Sequence, residues 1–90
     1  MGKKKETNNT YGNRVYLGAS LPFLATNTLF EGNIPKITQL AIRDIPEIER
    51  LIVPIDKAYE IRQALQNPHS VFSYWNKKII KERNEKYGRL

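Results

Sequence analysis

Ninety residues with no cysteine, one histidine, one tryptophan and a formal net charge of +6 allow a single small domain, one that buries only a little over ~60% of its unfolded surface. The apolar fraction of 40% excludes a wholly disordered chain, and the missing cysteine excludes a disulfide framework or thiolate metal sites and suits a reducing compartment. No apolar run approaches the ~18 residues of a membrane span or follows the basic start as a signal peptide, so the expected setting is cytoplasmic.

Residues 1–14 hold four basic side chains and one acidic one, are rich in Asn and Gly, and show no apolar period. They are read as a flexible basic arm. Glu6 stands where a myristoylation pattern needs Ser or Thr, so lipidation of Gly2 is not expected. Val15-Tyr16-Leu17 is β-branched and aromatic and ends at Gly18, which predicts a short strand. Thr28-Leu29-Phe30, stopped by Gly32-Asn33, predicts a second. The connection between them is too long for a tight hairpin. It is also apolar: Leu21, Phe23 and Leu24 stand where connecting segments are normally polar. Either this loop folds down over the sheet edge or it is a contact surface for another subunit.

From Pro35 a helix is expected, because proline fits the first turn. Ile37, Leu40 and Ala41 define its apolar face. Pro46 opens a new turn in which Ile48 and Leu51 share a face, so Pro35 to Arg50 reads as two short helices or one kinked helix. The run Leu51-Ile52-Val53-Pro54-Ile55 predicts a buried strand, with Pro54 at an edge or at its end. Thr28–Phe30, helix and Leu51–Val53 then form a crossover unit, to whose sheet the first strand adds antiparallel. Asp56 suits the N-cap of a helix over Lys57–Gln66 with Ala58, Ile61 and Leu65 on its inner face. Asn67-Pro68 ends that helix, and Ser70 caps the last one.

The last helix carries Val71, Phe72, Trp75 and Ile79 at core spacing. It then turns charged, and its end is expected to extend past the core into solvent. The order is β-β-α-β-α-α, a small α+β domain whose short sheet is covered by helices. The sequence divides into the arm 1–14, a domain 15–80 and a charged helical extension 81–90.

Reactive chemistry finds little support. His69 lies beside Pro68 in an apparent turn and is read as incidental. Asp44, Glu47 and Glu49 cluster, but carboxylates near a helix start suit its dipole without any metal. Asp56 and Glu60 show no sign of a buried acid pair. Gly18 and Gly32 follow strands, yet neither opens a phosphate-binding loop. No enzyme activity, cofactor, metal or small-molecule substrate is expected.

Two binding candidates remain. Leu21, Phe23 and Leu24 are candidates for contact with a protein partner or a second copy. The alternative is nucleic acid bound through Lys77, Lys78, Lys81, Arg83 and Lys86, with Phe72, Tyr74 and Trp75 stacking on bases. Against it, Phe72 and Trp75 also fit the core stripe of their helix, and the two last helices make a poor helix-turn-helix.

Val15, Tyr16, Gly18, Leu21, Pro22, Phe30, Gly32, Pro35, Val53 and Pro54 fall in the blocks VYLGASLP, LFEGNIP and IPEIERLIVPIDKAYEIRQAL, and Thr28 directly precedes the second block. This pattern resembles small proteins encoded by tailed phages and prophages of Gram-positive bacteria, over Val15 to Leu65. The resemblance implies a place among virion structural and assembly genes and a role in head or tail morphogenesis, without catalytic residues. The long basic C-terminal helix departs from the pattern.

Overall fold

The computed structural model describes residues 13–88. Strand β1 spans Asn13–Tyr16, β2 Leu29–Glu31 and β3 Ile52–Pro54. Helix α1 spans Lys36–Asp44, α2 Glu47–Arg50, α3 Ala58–Leu65 and α4 Val71–Tyr87, and a turn of 3-10 helix at Ile55–Lys57 precedes α3. The domain is α+β, as its alternation of short β-rich runs and helical periods predicts. The readings for residues 1–12, including Gly2, lie outside the described residues. Asn13 and Arg14, assigned to the arm on composition, belong to β1.

β1 is the centre of the sheet, antiparallel to β2 on one side and to β3 on the other. The two ends of the expected crossover are therefore not neighbours, because β1 is inserted between them. Val15 lies opposite both Leu29 and Val53, while Tyr16 lies opposite Ile52. Since side chains alternate along a strand, Val15 and Tyr16 face opposite ways, and both are buried. Helices pack on both faces of the sheet, although on the Val15 face Leu29 of β2 is left exposed. Tyr16, Phe30 and Ile52 meet Ala41, Ile45, Ile48, Leu51 and Ile79 from α1, α2 and α4 and the segments that join them. Val15, Leu17 and Val53 meet Ala58, with Ile61 and Leu65 packed alongside. Leu65 touches both clusters and closes the end between them.

Several local expectations are corrected. On α1 the buried face is Thr38, Ala41 and half-buried Ile42, continued by Ile45, and not Ile37, Leu40 and Ala41. A polar threonine at the inner position hid this stripe, and Ile37 and Leu40 are left on the outer side. Asp56 sits within the 3-10 turn, and no side chain caps α3. Val71, expected in the core, is exposed, whereas Ser73 is buried and donates to the Leu65 carbonyl at 2.9 Å. Ser70 does cap α4, its hydroxyl accepting from the Ser73 N–H at 3.1 Å. The end of α4 does not stand clear of the core: half-buried Tyr87 packs against the larger cluster, and its hydroxyl donates to Asp44 Oδ2 at 2.9 Å.

Tyr16 is fully buried, with its hydroxyl donating to the Ala19 carbonyl at 2.6 Å. Burial pushes this phenol well above its ordinary value of 10.0, against a smaller opposing pull from Arg83. The folded protein therefore keeps a proton that the unfolded chain releases above about pH 10, so the stabilisation is complete below that pH and is lost as pH rises. Urea midpoints are expected to fall between about pH 10 and about pH 11.5, and to fall less steeply in Tyr16→Phe. Equal slopes in the two proteins would exclude Tyr16 as the source.

Candidate functional site

The connection between β1 and β2 is a folded structure, not an open loop. Leu21 and Leu24 exchange two backbone hydrogen bonds, N–H to C=O at 2.8 Å and 3.1 Å, which closes a turn with Pro22 and Phe23 at its tip. Their side chains point inward and are only 6% and 3% exposed. Two of the three residues marked for partner contact thus belong to the core, because a closed turn with apolar ends can bury both flanks. Phe23 alone faces out, at 59% exposure.

The turn is braced at its base. Thr26 donates its hydroxyl to the Gly18 carbonyl at 2.7 Å, and its N–H donates to Ser20 Oγ at 3.1 Å. From α4, Asn76 Oδ1 accepts from the Ala19 N–H at 2.8 Å, and Arg83 donates to the Ser20 carbonyl at 3.2 Å. Asn27 holds φ at +73°, and its side-chain oxygen accepts from Arg62 of α3 at 2.9 Å. Asparagine tolerates this left-handed backbone better than a branched residue does. Phe23 is therefore carried on a short turn tied to two helices, which limits the entropy lost when it is held against a partner.

Beside it runs a groove of about 330 Å³, lined by Phe23, Ile37, Leu40, Ala41, Asp44 and Tyr87. Ile37, Leu40 and Asp44 are spaced one turn apart along the outer side of α1, and Ile37 and Leu40 are 48% and 42% exposed. Phe23 forms part of its lining and Tyr87 of α4 another. Sequence reasoning missed Ile37 and Leu40 as surface residues by assigning them to the core. The contrary signal was Thr38, whose inner position is consistent with the period of Ala41 and Ile45. Asp44 closes one end of the groove, with Lys86 donating to its backbone carbonyl at 3.1 Å and Tyr87 to its carboxylate. Burial, followed by the hydrogen bond to Asp44 and its charge, holds the Tyr87 phenol above its ordinary range.

The basic run of α4 forms no single face. At ~100° per residue, Lys77, Lys78 and Lys81 share one side while Arg83 and Lys86 lie across the helix. Lys81 pairs with Glu85 at 3.6 Å, Lys86 with Glu82 at 3.7 Å and Lys78 with Glu47 of α2 at 4.0 Å. Arg83 is committed to the Ser20 carbonyl. The aromatics are also engaged. Phe72 meets the Trp75 ring edge-on at 5.4 Å, and the Arg50 guanidinium lies 5.0 Å from the Trp75 ring centre. Tyr74 is exposed on α4.

His69 is exposed in the turn before α4, its backbone N–H donating to Asn67 Oδ1 at 3.0 Å. Asp44, Glu47 and Glu49 diverge, with Asp44 bound to Tyr87 and Glu47 to Lys78. Among the described residues no group of three histidine or carboxylate side chains converges on a point. Glu60 pairs with Lys57 at 3.8 Å in solvent. A second concavity, lined by Pro46, Glu49 and Arg50, lies along α2. No described helix is long and apolar enough to cross a membrane. No protein-family model, curated protein or solved structure matches the chain.

Proposed function

We propose that this chain is a non-enzymatic, phage-derived structural or assembly accessory protein of the host cytoplasm, acting by protein–protein contact in head or tail morphogenesis. The observation that carries the contact is Phe23, a large apolar side chain 59% exposed on a braced turn beside the α1 groove. A rigid aromatic anchor next to an apolar groove is the arrangement in which a few residues supply most of a binding energy. The virion setting is supported by the resemblance of the Val15–Leu65 pattern. The nucleic-acid alternative draws less support, since its cations divide between two sides of α4 and Arg83 is bound to the Ser20 carbonyl.

Phe23→Asp is the test. Because the side chain is outside the core, urea stability is expected to stay within ~0.5 kcal/mol of the parent. Affinity capture from cells producing the phage is expected to recover a virion protein with the parent chain and to lose it with the variant, a weakening of at least ~30-fold for a ~2 kcal/mol anchor. Equal recovery of that protein by a folded Phe23→Asp chain would remove the groove from the account.

A further inference from the structure

Backbone groups along an antiparallel strand turn alternately to one neighbour and then to the other. The Tyr16 N–H of β1 donates to the Thr28 carbonyl at 3.0 Å, and the N–H of Leu17, the residue after β1, donates to the Leu51 carbonyl at 2.9 Å. Arg14 and Tyr16 therefore address the β2 side, and Val15 and Leu17 the β3 side. In the observed register Arg14 lies opposite Phe30, so Phe30 is the β2 residue bonded inward. Leu29 and Glu31 must direct both their N–H and C=O groups away from β1. Among the described residues no strand pairs with that edge.

The opposite edge differs. There the outward residues of β3 are Ile52 and Pro54. Proline has no N–H to offer, and Ile52 is only 6% exposed. Leu29, by contrast, is 64% exposed, on the sheet face where α3 covers Val15 and Val53 but leaves β2 bare. One edge of the sheet is closed by its sequence, and the other carries a full set of donors and acceptors beside an uncovered leucine.

We propose that β2 is a self-pairing edge: a second copy of this chain adds its own β2 antiparallel, centred on Phe30, to give a continuous six-stranded sheet. The triplet Leu29-Phe30-Glu31 is self-complementary in this register. Leu29 lies opposite Glu31 of the partner subunit and the reverse pair follows from the two-fold axis, so four backbone hydrogen bonds form and no two carboxylates face each other. Every copy of the chain carries this matching strand, so no second sequence is required. Gly32, at φ +79°, turns the chain away after Glu31 and limits the pairing to these three residues. So short an edge keeps dilute chains apart, and it becomes effective where assembly holds many copies close together. The surface is separate from the Phe23 groove and does not depend on it.

Sedimentation equilibrium and amide hydrogen exchange over roughly 10 µM to about 1 mM test the proposal, a range suited to contacts below the standard interface size. The weight-average mass is expected to rise toward that of a dimer. The Leu29 and Glu31 amides are expected to exchange freely when dilute and to slow with concentration, while the Phe30 amide stays protected throughout. Glu31→Pro removes one outward N–H and leaves the Phe30 bonds to β1 in place. It is expected to weaken association at least ~10-fold, since it deletes two of the four bonds in a symmetric pair. Phe23→Asp is expected to self-associate like the parent. A mass that stays monomeric to about 1 mM would overturn the proposal, as would a rise in mass without protection at Leu29 and Glu31. So would association that Phe23→Asp abolishes and Glu31→Pro leaves intact. The exchange measurement on the unaltered chain decides the matter should Glu31→Pro fail to fold.

Discussion

Gly18→Ala is expected to destabilise the domain by about 2–4 kcal/mol, a large share of what a chain of this size holds. A methyl group built on Gly18 would lie 2.5 Å from the Tyr16 hydroxyl and 2.8 Å from two of its ring carbons. Neither party can easily retreat. The Tyr16 ring is sealed among Leu21, Leu24, Ile48, Leu51 and Ile79. The Gly18 backbone is pinned by Thr26 on its own carbonyl and by Asn76 on the next N–H. Overpacking of this kind costs ~1–3 kcal/mol, and losing the bond from Tyr16 to the Ala19 carbonyl adds ~1 kcal/mol. Urea denaturation of Gly18→Ala measures the total. Combining it with Tyr16→Phe removes the closest contact but not the ring contacts, so the two losses are expected to be less than additive. A Gly18→Ala protein as stable as the parent would mean that the ring does not lie over Gly18.

Element types and order were readable in the sequence because they rest on local signals. Short β-branched or aromatic runs ended by Gly18, Gly32 or Pro54 mark the strands, and Pro46, Asn67-Pro68 and Ser70 mark the helix breaks and the last cap. Tertiary choices were not readable. Val15 and Tyr16 are both buried only because helices cover both faces, and no single strand announces that. The inner face of α1 was misassigned because Thr38 is polar, and its neighbours Ile37 and Leu40 look like core. The candidate site came through in part. Its apolar loop was visible in composition, but which of its residues turns outward depends on the paired turn between Leu21 and Leu24, a contact with no signature of its own.

The residues on which the proposed resemblance rests have mainly structural tasks. Gly18 gives room to Tyr16, Gly32 holds a positive φ, Pro35 sits at the start of α1 and Pro54 ends the ladder of an edge strand. Leu21 and Phe30 fill the core. Those residues govern how the chain folds, while the two proposed surfaces rest on Phe23, Leu29 and Glu31, none of which is among them.

Ile79→Ala is expected to cost about 3 kcal/mol, and Val71→Ala, on the same helix, less than ~0.5 kcal/mol. The two residues share the stripe that the periodicity of α4 suggests, yet Ile79 is wholly buried and Val71 is 49% exposed. The difference arises because α4 packs on α2 through its middle, where Ile79 meets Ile48 and Tyr16, while its first turn is held by the Ser70 cap and the Ser73 bond to α3. With a urea dependence near ~1 kcal/mol per molar for a small domain, Ile79→Ala would lower the midpoint by roughly 2–3 M and Val71→Ala would barely move it. The contrast matters for function, because α4 also carries Asn76 and Arg83, which brace the turn that presents Phe23. Ile79→Ala is therefore expected to impair partner capture by loosening the platform, with a measurable loss of stability, whereas Phe23→Asp impairs it with none. Equal stability losses at positions 71 and 79 would show that α4 is rotated relative to the packing described here, and the bracing of the Phe23 turn would fall with it.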